Sequence, residues 1–463
     1  MITGPATALP RKAEKATMFD YSPDRLHEIA ADVLDAARRL GASDAAVDVS
    51  EASGLSVNVR MGGVETIEQT RDKGVGVTVH VGQRRGHAST SDFSPKALHD
   101  AVEAAWQIAR HTGEDDCAGL PDPDTIATEF RDLDLFHPWN IDVEHAIDLA
   151  RSVEAAAFAV SPLIRNSEGA SVGVNHGHFV TANTRGFKGG YPYSRHSVGV
   201  APIAERKGAM QRDDWYTASA VPERLADPEK LGRYAAQRAL SRLGAKRLST
   251  RRVPVLFESP LACGLLGSFV HAASGGALYR RSSFLVDALG RDVFAPHLDI
   301  IEDPGIPAEL GSAPFDSEGV AVARRSVVSA GRLEGYFLST YSARKLGMKT
   351  TGNAGGSHNL ALTSRRTRQL DDLPAMLQRL GTGLFVTDLM GQGVNYVTGD
   401  YSRGASGFWV EGGEIRYPVE EITIAGNLAE MFRGIVAVGS DVIQRGSKRT
   451  GSVLIDEMAV AGD

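Results

Sequence analysis

From about Val320 onward the chain is written as short β-type runs cut by glycine: residues 325–329, 333–338, 384–390, 395–398, 407–410, 414–417, 422–425 and 451–455. These runs are short and carry glycine at their corners, and Gly412-Gly413 is a hairpin signal. They predict a barrel or sandwich of antiparallel strands. The 50 glycines of the 463 residues are scattered, with no fixed-period repeat.

The first half follows another pattern. Ser22-Pro23 and Ser94-Pro95 start two helices, with serine as cap and proline at the first helical position. Each has one apolar stripe (Leu26, Ile29, Ala30, Val33, Leu34, Ala37; and Leu98, Ala101, Val102, Ala105, Ile108, Ala109). Between them lie strand-like runs at 45–49, 55–60, 64–70, 74–81 and 85–89, with a Gly62-Gly63 hairpin. A helix at 142–160, strands at 164–175, 178–184 and 194–205, and a helix from Asp227-Pro228 to Leu243 follow. The fold class is therefore α+β: an N-terminal α/β region with an antiparallel sheet, then a C-terminal β-rich, barrel-like domain. The organisation reads as a loose tail over 1–18, an α+β domain over 19–112, an acidic connector over 113–139, a middle α/β region over 140–250 packed with the N-terminal domain, and the β-rich domain over 253–463. In the connector, Arg131 is the only base among eight acidic residues, which marks a solvated segment.

Charge and cysteine use narrow the function. Lys+Arg is 50 and Asp+Glu 57, a net charge of −7, which gives no general attraction to nucleic acid or anionic lipid. The most apolar run, 260–274, is too short to span a bilayer, so no membrane role is expected. Two cysteines, Cys117 and Cys263, exclude a disulfide framework and a four-cysteine zinc site, and suit a reducing cytoplasm. Cys263 sits in an apolar helix and reads as packing.

Simple catalytic motifs fail on context. There is no P-loop, and Gly391-x-Gly393 lacks the third glycine of a dinucleotide fold. Gly169-Ala170-Ser171-Val172-Gly173 imitates a nucleophile elbow, but strand-like text follows it where a helix is required. His176-x-His178 puts two imidazoles on one face of an extended run without an evident third metal ligand. His27-Glu28-x-x-x-Asp32 falls on the polar side of the first helix.

Long stretches carry a resemblance. LGSFVHAASGGALYRRSS (266–283), FDSEG (315–319), STYSARKLG (339–347), LMGQGVNYVTGDYSRGASGFWVEGGEI (389–415) and EITIAGN (421–427) resemble the TldD/PmbA peptidase family, of the modulator-of-gyrase type. GVGVTVHVGQRRGHASTSDFSP (74–95) and LDLFHP (133–138) resemble its PmbA branch, also called TldE. The resemblance covers the chain from about residue 19 to its end. It implies an intracellular zinc-peptidase system of two related subunits that cuts unfolded peptides, in roles such as peptide maturation and antitoxin turnover.

In the catalytic branch a helix reads His-Glu-x-x-x-His. The histidines and a later cysteine hold zinc, and the glutamate takes a proton from the metal-bound water. A five-residue step turns about 140° around a helix, so a local break, eased by glycine, is expected there. Here the matching residues are His271, Ala272 and Gly276, and no cysteine follows Cys263. The resemblance therefore implies a non-catalytic subunit: no catalytic residue, no metal held by this chain, zinc in a TldD-like partner, and activity only in its company. The motif is vestigial. Glycine-rich turns at Gly355-Gly356 and at Asp400, Tyr401, Ser402, Arg403 and Gly404 are the candidate peptide cleft, which would receive an extended strand. A homodimer is the state open to the lone chain. Two alternatives stay open. One is an autonomous metallopeptidase with non-standard ligands, for instance His271 with His176, His178 or His358. The other is a peptide-binding module without proteolysis.

Overall fold

The computed structural model describes residues 18–462. All of the expected N-terminal tail except Met18 lies outside the described residues. Two compact units divide them. The first takes the chain up to Leu120, then Asp134–Ile203 and Arg212–Gln237; the second takes Pro121–Leu133, Ala204–Gln211 and the chain from Arg238 on.

Unit one begins with α1 (Pro23–Arg39), where the Ser22 hydroxyl accepts from the Arg25 N–H and the predicted stripe is buried. Strands β1 (Asp44–Arg60) and β2 (Gly63–Val81) form one long antiparallel hairpin. The four runs expected here are thus two strands, and the pairing passes without interruption from Ser50↔Gly74 to Gly54↔Thr70. Gly54 does not break the strand. It lets the sheet close where Thr70 Oγ1 stands 2.7 Å from the place a Cβ would occupy. β3 (Arg84–Thr90) and α2 (Pro95–His111) follow, then α3 (Val143–Phe158) and β4 (Ile164–Asn183), which joins two expected runs into one strand. β5 (Lys188–Arg206), β6 (Ala209–Arg212), β7 (Trp215–Ser219) and α4 (Pro228–Ser241) complete the first half. The sheet order is β3-β2-β1-β4-β5-β6, with β7 also on β5.

One face of β1 is buried and the other is wet, as alternation requires. The buried face carries two apolar cores in succession. Val47, Val49, Val77 and Val180 pack with α1 and α2; Val57, Val59, Val172 and Val174 pack with α3 and α4. Between the two, on the same face, stands a polar seam: Glu51 on β1 opposite His178 on β4, then Ser53 opposite His176.

Unit two contains β8 (Arg251–Phe257), α5 (Ser259–Ala272), α6 (Gly275–Tyr279), β9 (Leu298–Asp303), β10 (Arg325–Ser329), β11 (Arg332–Leu333) and α7 (Thr340–Lys345). Then come β12 (Asn359–Ser364), α8 (Leu373–Leu380), β13 (Gly383–Met390), β14 (Asp400–Glu411), β15 (Glu414–Asn427) and α9 (Leu428–Arg433). β16 (Ile435–Val438), β17 (Ile443–Arg445), β18 (Lys448–Thr450) and β19 (Val453–Ala461) close the chain. Strands β8, β13, β14 and β15 continue through β19 back to β8, a closed barrel of five, with β16 attached to β19. A second sheet runs β11-β10-β9-β12-β18-β17. The barrel-like expectation for this half is met, and the α+β class with it.

Three runs differ from expectation. Of the 333–338 run only Leu333 is in a strand, the two-residue β11 (Arg332–Leu333). Tyr336, Phe337 and Leu338 are buried in irregular chain instead, where Tyr336 Oη accepts from the Ala288 and Leu289 N–H groups. Residues 395–398 form a turn, because the Asn395 side chain accepts from the Val397 N–H and its carbonyl from Gly399. Asp400–Gly404, expected as a turn, opens strand β14, paired with Asn427–Thr423 on one side and, at Gly404, with Met390 on the other.

Candidate functional site

Residues 271–276 lie where one helix ends and another starts. α5 stops at Ala272. Ser274 is extended (φ −73°, ψ 138°) and its hydroxyl accepts from the Ala277 N–H to start α6. The break is pinned from outside: the Gly275 N–H donates to the Phe337 carbonyl (2.8 Å), and the Phe337 N–H donates to the Ala273 carbonyl (3.1 Å). The expected interruption is present, and its glycine is required by contact. A Cβ on Gly275 would stand 2.2 Å from Ser342 Oγ.

The three motif positions have separate environments. The His271 side chain is on an exposed position, its ring centre 4.0 Å from that of Tyr396. Ala272 is fully buried, and its carbonyl accepts from Ser283 Oγ (2.6 Å). Gly276 is half-buried, and the place of its missing Cβ is 3.3 Å from Arg280 Nη2 and 3.6 Å from Nη1. Cys263 is buried in α5, its Sγ 3.5 Å from the Lys448 carbonyl and 3.6 Å from that of Ile443, and burial pushes its thiol pKa up. Among the described residues no three His, Cys, Asp or Glu side chains are grouped so as to hold a metal ion. One exposed imidazole beside a buried alanine and a glycine covered by a guanidinium does not fit zinc.

The other histidines have their own partners. His176 Nε2 accepts from the Trp139 N–H (3.1 Å), and burial, with His196 nearby, lowers its pKa to about 4. His178 Nε2 meets Glu51 Oε2 at 3.1 Å and its ring stacks on Phe19. Glu51 also accepts from the Asp20 and Tyr21 N–H groups. The two imidazoles share a face, as their spacing suggested, but are committed to different bonds. Ser171 sits in mid-strand opposite Asn58, which is no nucleophile elbow. Glu28 on α1 pairs with Arg25 at the surface, and Asp32 is exposed.

Of the candidate cleft, Gly355 (φ 98°) and Gly356 (φ 113°) form an exposed loop. Asp400 and Ser402 are exposed on β14, Arg403 and Gly404 half-buried, and Tyr401 buried, which pushes its pKa up to about 12. Among the described residues no hydrogen bond joins the loop to the strand segment. The loop is held by a cluster that sequence reasoning missed. The buried Glu302 carboxylate accepts from Arg325 Nε (2.7 Å), Asn353 Nδ2 (2.8 Å) and the His358 N–H (2.8 Å), and meets His358 Nδ1 at 3.2 Å. Its one available signal was an acidic residue at an inward position of the alternating run Leu298–Asp303. A pocket of about 320 Å³ beside α6 is lined by Leu278, Val286, Leu289, Tyr336, Leu346 and Met348, with Asp287.

A closed five-strand barrel beside a helix that breaks after Ala272 is the fold that the resemblance to the TldD/PmbA peptidases implied. Comparison with known proteins agrees. Domain 1, the central domain and the C-terminal domain of the PmbA/TldA metallopeptidases match residues 45–109, 136–243 and 250–462 in order. The chain belongs to the PmbA/TldD metallopeptidase family. It is 47% identical over 423 residues to the Escherichia coli O157:H7 protein named metalloprotease PmbA, covering 91% of this chain and 93% of that one. It is 44% identical over 454 residues to the PmbA homolog of Haemophilus influenzae (98% and 100% covered), and 24% identical over 394 residues to the same organism's TldD homolog (79% of each). Among solved structures, a putative modulator of DNA gyrase from Bacteroides thetaiotaomicron superposes with a TM-score of 0.89 at 25% identity, over 96% of this chain and 100% of that one. No helix among the described residues is long and apolar enough to cross a membrane.

Proposed function

We propose that this chain is the non-catalytic, PmbA-type subunit of a heteromeric zinc metallopeptidase, that a TldD-like chain carries the zinc, and that the pair cuts unfolded peptides in the cytoplasm. The observation that carries the reading is the state of the motif. The carboxylate position is a fully buried alanine, and the second ligand position is a glycine beneath Arg280. Alanine cannot take a proton from water, and one imidazole is too few donors for zinc. That one organism has both a PmbA homolog and a TldD homolog, with this chain much nearer the first, supports a division of labour between paralogues. Two subunits of one fold can exchange an isologous contact for a near-copy of it.

Substrate binding by strand addition is supported by β2. Its residues 63–74 pair with β1 only, since β3 begins its pairing at Val75, so the outer edge of that stretch is free among the described strands. Backbone pairing at an open edge reads any extended chain, whatever its sequence. Gly355 and Gly356 are proposed as further peptide contacts.

The test is elemental analysis of the chain purified alone, followed by peptide cleavage with and without a TldD-like chain from the same host. The expected result is far less than one zinc per chain, no cleavage alone, and cleavage by the pair. One zinc per chain that disappears in His271→Ala would overturn the reading.

A further inference from the structure

We propose that Arg280 forms a carboxylate-binding subsite for peptides at the α5–α6 break, in the space where the motif's second histidine would project. The inference rests on the reading of this chain as a peptide-binding subunit. Its geometric basis is the contact already described: both terminal guanidinium nitrogens, Nη1 and Nη2, lie within 3.6 Å of the missing Cβ of Gly276. The loss of the ligand side chain has not left a gap. A fixed cation fills it.

Three features suit that cation to an anion. First, it is unpaired. Arg280 is exposed and has no acidic partner among the described residues; its polar contact is Nη1 to Tyr279 Oη at 3.1 Å. Other exposed arginines of this acidic chain do find carboxylates, as Arg233 does with Glu229 and Arg365 with Asp299. Second, it is held in place. The guanidinium carbon is 5.2 Å from the Tyr279 ring centre; that ring lies 5.8 Å from Tyr341, and Lys345 Nζ is 5.3 Å from the Tyr341 ring. A guanidinium resting on an aromatic face and a glycine loses little freedom when it binds. Third, the adjoining residues of the break include other exposed donors. Arg281 is exposed, and so is the His271 imidazole, whose ring nitrogens make no hydrogen bond among the described residues. A guanidinium fork matches a carboxylate with two parallel hydrogen bonds. Peptides offer that group at the C-terminus and on Asp and Glu side chains.

The test is fluorescence anisotropy at low salt with the full chain and three short, unstructured, N-terminally labelled peptides of Gly, Ser and Leu. One has a free C-terminal acid, one a C-terminal amide, and one an amide with a single Glu. The free acid is expected to bind about tenfold tighter than the plain amide, the scale of a charge-assisted hydrogen bond. Arg280→Gln removes that difference and leaves the amide's affinity unchanged, while Arg280→Lys keeps part of it. Tighter binding of the Glu amide than the plain amide assigns the subsite to side-chain carboxylates as well; preference for the free acid alone assigns it to the chain end. Equal affinities for all three peptides, discrimination that persists in Arg280→Gln, or no binding of any peptide by the chain overturns the proposal. Each of these is separate from the zinc measurement, which decides the subunit reading by itself. Arg280 is exposed, so its variants are expected to fold, and a thermal melt checks this.

Discussion

The imidazole of His271 rests on the phenol ring of Tyr396, with ring centres 4.0 Å apart and planes inclined at 35°. The Tyr396 carbonyl accepts from the Phe284 N–H (2.8 Å), so the ring contact ties the end of α5 to a segment already anchored in unit two. His271 therefore has a packing use that needs no metal. His271→Ala is expected to lower stability by about 1 kcal/mol, the scale of an aromatic pair. His271→Phe keeps most of it. Denaturation midpoints of the three proteins check this, and a Phe variant as weak as the Ala variant would refute it.

Two glycines close in sequence should respond oppositely to alanine. At Gly275 the new methyl meets Ser342 Oγ at 2.2 Å and Ser342 Cβ at 2.5 Å. Ser342 cannot swing aside freely, because its hydroxyl and that of Ser339 form the capping box of α7. Gly275→Ala is expected to cost about 2 kcal/mol. Gly264, inside α5, has nothing within 4 Å of its Cβ position. Gly264→Ala should add roughly 0.5–1 kcal/mol through helix propensity. Urea melts of both variants decide the pair of signs.

The helix that carries the motif is anchored by an ion pair at its start. Glu258, the residue before α5, makes no side-chain cap, because its carboxylate binds Arg238 twice, at 2.5 and 3.1 Å. Both side chains are nearly buried. Arg238→Ala strands a buried charge and is expected to cost about 3–5 kcal/mol, and the double change to methionine much less. A double-mutant cycle measures the coupling; a value near zero would mean the pair is solvated in solution.

Glu302 should give a signature in acid. Burial alone would raise its pKa, but the His358 side chain, the Arg325 guanidinium and the His358 N–H together hold it at about 2, below its ordinary 4.5. The folded state thus binds the proton less well than the unfolded chain. The stabilisation is complete above pH 4.5 and is lost as the pH falls through about 2. Glu302→Gln is expected to be less stable than wild type by about 3 kcal/mol at pH 6, with the gap closing toward pH 2. A gap independent of pH would place the cost in packing and not in charge.

What the sequence disclosed depended on how local the cause was. Ser22, Ser94 and Asp142 marked helix starts correctly because a cap is a contact within one turn. Strand continuity was misread at Gly54 and at residues 175–178 because the cause is a partner strand far along the chain. β9 and β12, which pair together, were not anticipated at all, nor was α8. At the site, the helix break was legible once the motif spacing was known. The cover of Gly276 by Arg280 and the stacking of His271 on Tyr396 were not, because the first depends on how the chain turns after α6 and the second joins residues 125 positions apart.

The seam between the two cores of unit one supplies the last prediction. His176 is neutral in the fold: Nε2 accepts the Trp139 N–H, so a second proton there would break that bond. Burial first, and then the His196 ring 5.2 Å away, lowers its pKa from 6.5 to about 4. In the unfolded chain it titrates normally. Between those two values the unfolded state binds more protons, so stability rises with pH. The contribution is whole above pH 6.5 and lost as the pH falls to about 4. The loss amounts to about 3 kcal/mol. His176→Gln keeps an acceptor for the Trp139 N–H but does not titrate. Its stability in urea, measured between pH 4 and 7.5, should fall less steeply than that of wild type by about that amount, with a constant offset above pH 7. Parallel profiles would show that His176 is protonated as easily in the fold as in water, and that the seam is open to solvent.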